Sequence, residues 1–381
     1  MNEDLFNIIN DVFDNNDLEG DDLYDNTIYE EIKMMVLEIY SQINPITNSN
    51  DVSDVEQQIN NLLYQRQNIV KDPIYCESDL LYLEAKIKHL ETIPQPEQRS
   101  EEWYIFRNNR LTASDFYSVM DGGAKSRRNE LIMKKCGEEM PFLTNAAILH
   151  GIKFEDMAVK IYEKQNKLKV NEFGCLPHPI IPFFGASPDG IVSYESENKN
   201  YVGRMLEIKC PKSRKITGII PDGYFAQIQG QLEVCDLEYC DYLECDFQMY
   251  KCKEDFFEDE IREKGVIVEL YDTKLNKTLY NYANDEHIKS YDLFKPWEDS
   301  IVSKIYDNDH LEYLTTTYWY LNKLNVVLVK RDRDYFTKNY INIKNFWDDV
   351  LKYREIGLET LKQTKKNKYK PYKEKELNFL D

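Results

Sequence analysis

Hydrophobic residues recur at helical spacing along the first quarter of the chain. From Ile28 to Ile43 they return every three or four positions, which predicts an amphipathic helix. The same spacing predicts helices from Val55 to Tyr64 and from Ser78 to Thr92, and Pro94 ends this stretch. The pattern therefore predicts a helical N-terminal extension over residues 1–95.

Short apolar runs mixed with helical stretches follow over residues 96–253. Helices are predicted after Ser100, from Thr112, from Gly151 to Leu168 and after Pro221. Strands and helices in this order pack most simply as a central mixed sheet flanked by helices, an α/β (α+β) fold. The predicted strands are Val170–Leu176, Phe183–Ala186, Gly190–Tyr194, Tyr201–Cys210 and Tyr239–Tyr250.

Residues 254–381 form a third, accessory region with mixed α+β character. The tail from Leu361 to Asp381 carries seven lysines and three acidic residues, which is typical either of a solvated end or of a phosphate contact. The predicted elements are a strand at Gly265–Tyr271, helices at Tyr291–Tyr306 and Asp309–Leu321, a strand at Asn325–Lys330 and a long helix from Asp334 to about Lys362.

The charge of this 381-residue chain is unevenly distributed. The net charge is −20, and residues 1–60 alone hold 15 acidic side chains and one basic side chain, a net of −14. The remainder is therefore only weakly acidic, with a net of −6. A nucleic-acid site needs local cations rather than a basic average, so this balance does not exclude DNA as a partner.

No apolar run is long enough to span a bilayer, and the first residues are acidic where a targeting signal would be basic. The eight cysteines contain no CxxC pair, which is typical of reduced thiols. We therefore expect an intracellular protein that is neither secreted nor bound to a membrane.

The candidate chemistry lies in a predicted hairpin. Asp189 and Glu207 each lie nine residues from Asn198, so a turn there places the two carboxylates opposite each other. Lys209 is two residues from Glu207 and shares its face of the strand, while Leu206 points to the other face. Two carboxylates beside an ammonium suit a hard divalent cation and the hydrolysis that it promotes.

These residues resemble the PD-(D/E)xK nuclease superfamily, with Pro188-Asp189 and Glu207-Ile208-Lys209 as its signature. Further motifs in the same order resemble its lambda-exonuclease or YqaJ branch. They are Gln98 to Trp103 continuing through Arg107 to Ser114, Gly151 to Glu155, Ser187 to Gly190, Leu206 to Pro211, and Tyr224 to Gln229.

The resemblance implies a metal-dependent deoxyribonuclease. It makes Asp189, Glu207 and the carbonyl of Ile208 ligands of Mg2+ or Mn2+, with Lys209 acting on the attacking water and the developing charge. It also makes Glu155 a catalytic residue and metal ligand, which implies two ions per active site. The alternatives are a surface Pro-Asp-Gly turn without metal, and a glutamate on the solvated shoulder of a helix.

The resemblance also assigns the helix after Pro221 and the segment before Ser114. Gln227 is expected to hold the water or the scissile phosphate, and Tyr224 and Gln231 share its helix face. A structural amide network is the alternative. The residues implied to bind DNA or a terminal 5′-phosphate are Arg107, Arg110, Thr112, Ser114, Tyr224 and Gln231, with a solvated arginine as the alternative.

Cys235, Cys240, Cys245 and Cys252 lack the close pairs of an iron–sulfur site, so buried free thiols are expected. His150 and His178 have no metal-ligand partners at suitable spacing and receive no role.

The expected function is exonucleolytic digestion of duplex DNA from its 5′ ends, for recombination, repair or genome processing. The implied partners are double-stranded DNA with free ends and a single-strand-annealing recombinase, and some relatives form trimers. The Asn-, Lys- and Tyr-rich composition suits an AT-rich genome and fits a viral origin, with a location in the host cytoplasm, a viral factory or the virion. The alternatives are an endonuclease or a nuclease of other polarity, and a DNA-binding scaffold with a vestigial core.

Overall fold

The computed structural model describes residues 2–16, 18, 25–44, 52, 55–60, 62–63, 72–96, 98, 100–120, 125–138, 146–359 and 361–362. The fold is organised around a seven-stranded mixed sheet with the strand order β2-β5-β6-β7-β10-β8-β9, accompanied by a three-stranded sheet with the order β1-β4-β3. The predicted mixed α/β fold with a central sheet is therefore confirmed. The strands are β1 Leu111–Thr112, β2 Val170–Asn171, β3 Leu176–Pro177, β4 Phe184–Ala186, β5 Gly190–Val192, β6 Met205–Lys209, β7 Tyr239–Met249, β8 Lys264–Asp272, β9 Lys277–Tyr282 and β10 Leu311–Lys330.

Only the β6–β7 pair of the large sheet is parallel, and the helix after β6 makes the crossover between them. The described helices begin and end close to cap and breaker residues. They are α1 Asn2–Asn15, α2 Asn26–Ile43, α3 Glu77–Thr92, α4 Glu101–Asn108, α5 Lys125–Lys135, α6 Ala146–Asn166, α7 Asp222–Cys235, α8 Lys253–Glu258, α9 Tyr291–Val302, α10 Lys304–Asp307 and α11 Arg333–Ile356, with 3-10 turns at Ala113–Val119, Lys199–Tyr201 and His287–Lys289.

Helices cover both faces of the large sheet. On one face α7, α11 and the 3-10 turn Ala113–Val119 enclose a core that includes Phe116, Phe225 and Phe336. On the other face α6 packs Phe154 against Phe247 of β7, with stacked rings 4.5 Å apart. Apolar burial on both faces fixes the sheet between the helices, so the ends of β5 and β6 have a rigid setting.

The N-terminal helices form their own small core. Apolar side chains of α1 and α2 are buried together, and Ile219 from the segment before α7 packs against them. Helix α3 instead contributes Leu83, Ile87 and Leu90 to the main core. The tail over residues 363–381 and Tyr64, both included in sequence-based expectations, lie outside the described residues.

Several predicted boundaries match closely. Ser100 caps α4 by accepting a 3.1 Å hydrogen bond from the backbone N–H of Trp103, as the sequence predicts. The predicted helix from Gly151 starts earlier, at Ala146, and the helix predicted from Thr112 is a 3-10 turn. The last long helix ends at Ile356 because Gly357 adopts a φ of +81°, a left-handed conformation that stops a helix.

The predicted helix at Asp309–Leu321 is wrong. Residues Leu311–Lys330 form one 20-residue strand, β10, which pairs with β7 along one edge and with β8 along the other. The run from Thr315 to Tyr320 consists of β-branched and aromatic residues, and this composition favours a pleated strand between two partners. As a result, the large sheet contains strands from both sides of residue 253, where the sequence predicts the boundary between the core and the accessory region. Strand β9, which the sequence does not predict, extends this sheet further.

No helix in the described part of the chain combines the length and apolar character that a bilayer span requires.

Candidate active site

The hairpin register brings Asp189 opposite Glu207. Strands β5 and β6 pair Gly190 with Leu206, and one more step along the same register joins the two acidic positions. The backbone N–H of Asp189 donates to the carbonyl of Leu206 at 3.3 Å. The backbone N–H of Ile208 donates to Oδ2 of Asp189 at 2.7 Å, so the aspartate is fixed against β6. The sequence predicts this pairing correctly.

Glu207 is fully buried and held from two sides. Its Oε1 atom forms an ion pair with the ammonium of Lys209, which lies on the same face of β6. Its Oε2 atom accepts a 2.8 Å hydrogen bond from the side-chain amide of Gln231 in α7. A buried carboxylate needs such partners, and here they also fix its orientation.

Burial and the local charges shift the pKa values of Asp189 and Lys209, the two neighbours of Glu207. Burial raises the pKa of Asp189 above its ordinary value, and repulsion from the carboxylates of Glu207 and Glu155 raises this pKa further. Burial alone would lower the pKa of Lys209, but attraction to Glu207 and Asp189 outweighs it, so the pKa of Lys209 is raised. Lys209 is therefore an ammonium that supplies positive charge.

Glu155 lies where three cavities meet. The arginine cavity, of about 190 Å³, is lined by Gln98, Trp103, Arg107, Thr112, Ser114, Glu155, Ser187, Asp189, Gln227 and Gln231. The basic cavity, of about 540 Å³, includes Glu155, Ile208, Lys209, Lys212, Arg214 and Tyr224. The acidic cavity, of about 610 Å³, includes Glu155, Asp156, Glu163, Glu172 and Asp189.

Arg107 is the cation of the arginine cavity. Its guanidinium donates to the hydroxyl of Ser187 at 3.2 Å and to the hydroxyl of Ser114 at 3.1 Å. The guanidinium also lies over the ring of Trp103, with its central carbon 4.2 Å from the ring centroid. A planar fork held by two hydroxyls and an aromatic ring is suited to a phosphate.

Thr112 and Ser114 lie side by side at the start of the 3-10 turn. Their hydroxyl oxygens are 3.1 Å apart, and Thr112 donates to Oδ2 of Asp115 at 3.0 Å. The structure therefore groups Arg107, Thr112 and Ser114 as predicted. Ser187 and Trp103 belong to the same group and were not among the predicted site residues, although both occur in the recognised motifs.

Arg110 does not line this cavity. Its guanidinium donates to the carbonyl of Phe106 at 3.1 Å and stacks 3.6 Å from the centroid of the Phe106 ring. The structure thus does not support the predicted assistance of Arg110 in binding a phosphate.

Helix α7 divides its polar residues between the cavities. Gln227 lines the arginine cavity together with Asp189, while Tyr224 lines the basic cavity with its ring centroid 4.7 Å from the Lys209 ammonium. Gln231 is only 1% exposed, and its amide also donates to the carbonyl of Ser187 at 3.2 Å. Gln231 therefore positions Glu207 and the Ser187 backbone instead of presenting its amide to an open surface.

A buried lysine, Lys135, supports the arginine cavity from behind. Its ammonium donates to the backbone carbonyl of Arg107 at 2.8 Å and lies 3.7 Å from Oδ2 of Asp115. Burial is the main cause that lowers the pKa of Lys135 to about 8. Sequence reasoning missed this residue because its helix, α5, gives no signal that one of its lysines points inward.

The histidines and cysteines take structural positions. Nδ1 of His178 accepts hydrogen bonds from the backbone N–H groups of Ile180 and Ile181. Burial lowers the pKa of His150 to about 4, and this ring packs on Phe154. Cys235, Cys240 and Cys245 are buried free thiols and Cys252 is an exposed one.

The donor atoms at the hairpin suit one divalent cation. Among the residues that the structure describes, no group of three or more His, Cys, Asp or Glu is close enough to hold an ion by side chains alone. The oxygen donors are Asp189, Glu207 and the carbonyl of Ile208, with Glu155 across the cavity. Mutual repulsion between these carboxylates is what a hard cation would relieve, so the residues fit such a group.

The comparisons with known proteins agree with the sequence resemblance. Residues 102–238 match the family model described as a YqaJ-like viral recombinase domain. The chain is 33% identical over 316 residues to the uncharacterized protein R354 of Acanthamoeba polyphaga mimivirus. That alignment covers 74% of this chain, and the chain spans only 57% of the length of this relative.

The solved structures to which this chain shows similarity include three of exonucleases. The LHK-Exo structure in complex with dAMP has a TM-score of 0.41 and 21% identity, covering 70% of this chain and 100% of that one. An alkaline exonuclease from Laribacter hongkongensis (LHK-Exo) has a TM-score of 0.40 and 22% identity, covering 70% and 99%. A phage related exonuclease from Haemophilus somnus 129PT has a TM-score of 0.34 and 13% identity, covering 66% and 96%.

Proposed function

We propose that this chain, whose residues 102–238 match the model of a YqaJ-like viral recombinase domain, is a divalent-metal-dependent nuclease that digests duplex DNA from its 5′ ends. The observation that carries this proposal is the hairpin register. It sets Asp189 opposite the buried Glu207, with Lys209 on the same face of β6, and Asp189 and Lys209 line cavities that meet at Glu155. Two carboxylates, an ammonium and an enclosed polar space are what metal-assisted phosphodiester hydrolysis requires.

Asp189, Glu207 and the Ile208 carbonyl would hold the ion, and Glu155 would hold a second one. Bound there, Mg2+ or Mn2+ supplies a nucleophilic water and neutralises charge on the phosphate. The fixed β5–β6 register and the Gln231 hydrogen bond keep the two hairpin carboxylates oriented before any substrate arrives. This preorganisation lowers the reorganisation needed during the reaction.

Lys209 contributes positive charge beside the scissile phosphate. Its ammonium, which pairs with Oε1 of Glu207, would stabilise the charge that builds on the phosphate and orient the attacking water. Gln227 lines the same junction as Asp189 and offers an amide to the water or to the phosphate.

The arginine cavity would bind the 5′-phosphate at the end of the digested strand. Arg107 supplies a bidentate fork, and Thr112, Ser114 and Ser187 supply hydroxyls around it. The cavity has room for about one phosphate group, since its volume is about 190 Å³. An end phosphate held here fixes the position of the next phosphodiester bond relative to Asp189, which favours cleavage from an end.

Local cations resolve the apparent conflict between DNA binding and a net charge of −20. Lys209, Lys212 and Arg214 line the basic cavity, and Tyr224 adds an aromatic ring. We assign the DNA backbone to this cavity because the lining of the acidic cavity has five acidic side chains against one basic side chain, Lys160, which disfavours phosphates there. The natural substrate is then double-stranded DNA with free ends.

The biological setting follows from the same proposal. Digestion from 5′ ends leaves 3′ single strands, which suit recombination or repair with a single-strand-annealing protein as partner. The mimivirus relative favours a viral protein acting in the host cytoplasm or a viral factory. The proposal includes a homo-oligomer, for which the trimer of some relatives is the example.

Digestion of matched linear duplexes tests the proposal. Substrates with 5′-phosphate and 5′-hydroxyl ends, labelled at either end, are incubated with Mg2+ and with Mg2+ plus EDTA. We expect faster loss of label from phosphorylated 5′ ends and no digestion with EDTA. Cleavage of covalently closed circular DNA would instead identify an endonuclease. A Lys209→Ala protein that digests as fast as the parent would contradict the assigned chemistry.

A further inference from the structure

The helix that carries Glu155 is held by strands outside the region that matches the family model. These accessory strands, β8, β9 and β10, lie between residues 264 and 330, whereas the matched region ends at residue 238. Each of the three contributes one side chain that contacts Lys153 of α6, two residues before Glu155. The contacting residues are Glu269, Tyr282 and Thr317.

The Lys153 contact is a partly buried network that joins α6 to all three accessory strands. The ammonium of Lys153 donates to Oε1 of Glu269 at 2.6 Å, and the hydroxyl of Thr317 donates to the same oxygen at 2.6 Å. The hydroxyl of Tyr282 donates to the backbone carbonyl of Lys153 at 3.0 Å. Glu269 is 6% exposed, so water does not compete strongly for this ion pair.

The position of Lys153 on α6 links this network to Glu155. Residues two apart on an α-helix are rotated by about 200°, so their side chains leave nearly opposite sides of the helix. Lys153 therefore reaches the accessory strands while Glu155 reaches the cavity junction with Asp189. A restraint on one side of the helix sets the rotation, and hence the position, of a carboxylate on the other.

We propose that Lys153, Glu269, Thr317 and Tyr282 are positioning residues for Glu155, and that they make the accessory strands part of the metal site. This inference rests on the proposed metal-dependent nuclease function. Groups hydrogen-bonded to a metal ligand change metal affinity or activity by about ten-fold to a hundred-fold when they are removed, and for a restraint on the helix that carries the ligand we expect the lower end of this range. The network therefore tunes how much Mg2+ or Mn2+ the site needs.

The test measures metal dependence in two independent ways. The first is the rise in melting temperature of the full chain as Mn2+ is added without DNA. The second is the Mn2+ concentration that gives half-maximal digestion of linear duplex DNA. For Lys153→Met we expect about a ten-fold higher Mn2+ requirement in both measurements. The KM for DNA stays unchanged, and saturating Mn2+ restores most of the parental rate.

Further variants separate positioning from general destabilisation. Lys153→Arg keeps the ion pair and restores the parental Mn2+ dependence. Tyr282→Phe removes one hydroxyl and keeps the ring, so it folds even if Lys153→Met does not, and it raises the Mn2+ requirement by a smaller factor. Lys164→Met is the matched control. Lys164 lies on the same helix as Lys153, and it forms an exposed ion pair with Glu263.

Two results would overturn the inference. The first is a Lys153→Met protein that folds and has the Mn2+ dependence of the parent. The second applies if Lys153→Met does not fold, and it is a Tyr282→Phe protein with the Mn2+ dependence of the parent. A parent that shows neither stabilisation by Mn2+ nor digestion of DNA would refute the proposed function itself. The two failures are therefore distinguishable.

Discussion

The side-chain amide of Gln231 donates a 2.8 Å hydrogen bond to Oε2 of Glu207, inside a core where both residues are at most 1% exposed. The other oxygen of Glu207 is paired with Lys209. A candidate metal ligand is thus held by one neutral donor and one cation, from a helix and from its own strand. This arrangement gives Glu207 a single orientation.

Replacing Gln231 by leucine should weaken catalysis without changing DNA binding. The substitution leaves Oε2 of Glu207 without its donor, and loss of a partner that orients a metal ligand costs about ten-fold to a hundred-fold in activity. We expect kcat to fall by this factor while the KM for DNA stays constant, measured on an end-labelled duplex. Gln229→Leu is the control, because Gln229 bonds the backbone of Lys330 and Asp332 and should affect stability alone. Equal activity of Gln231→Leu and the parent would contradict the positioning of Glu207.

Replacing Lys209 by alanine should lower the rate of digestion by about a hundred-fold or more. Because the proposed role of Lys209 is to supply positive charge, Lys209→Arg should keep more activity than Lys209→Ala. Single-turnover rates at saturating Mg2+ measure this difference. Lys212→Ala is the comparison in the same cavity, and it should change the KM for DNA more than the rate. A Lys209→Arg protein as inactive as Lys209→Ala would argue against a purely electrostatic role.

Replacing Arg107 by lysine should reduce the preference for phosphorylated ends. Lysine keeps the charge but loses the fork that contacts Ser114 and Ser187, so the bidentate grip is lost. The ratio of digestion rates on 5′-phosphate and 5′-hydroxyl duplexes should fall toward one, measured side by side at equal DNA concentration. Arg110→Met should leave this ratio unchanged because Arg110 faces Phe106. An unchanged ratio in Arg107→Lys would place the end-binding site elsewhere.

The buried Lys135 should make folding stability depend on pH in the alkaline range. Its pKa is about 8 in the folded chain and 10.5 as its ordinary value, so the unfolded chain binds this proton more tightly. Stability therefore rises as the pH increases from 8 towards 10.5, because the unfolded state retains more protons. The full difference corresponds to about 3 kcal/mol.

Urea unfolding at several pH values from 7.5 to about 9.5 measures this contribution before most tyrosines titrate. The free energy of unfolding of the parent should rise relative to that of Lys135→Met over this range, and the comparison cancels the opposing titration of the buried thiols that both proteins share. Lys134→Met, at the exposed neighbouring position, should keep it. Parallel pH profiles for the parent and Lys135→Met would show that Lys135 is not desolvated in the folded chain.

The sequence by itself determined the central part of the site. The spacing of Asp189 and Glu207 around Asn198 specified the hairpin register, because antiparallel pairing conserves the sum of paired positions, and strand alternation put Lys209 on the face of Glu207. It also determined the cap at Ser100 and the helix that carries Glu155, since these depend on local hydrogen bonding and apolar spacing.

Only the tertiary structure decided the surroundings of that site. The local sequence of β10 is compatible with a helix or a strand, and its pairing with β7 and β8 makes it a strand. This pairing brings the accessory strands against α6. The packing of neighbouring elements likewise decides three side-chain positions. They are the inward direction of Lys135, the direction of Arg110 towards Phe106 and the burial of Gln231. Local spacing fixes neighbours along a strand or helix, whereas contacts between distant segments are set by the packing of the whole chain.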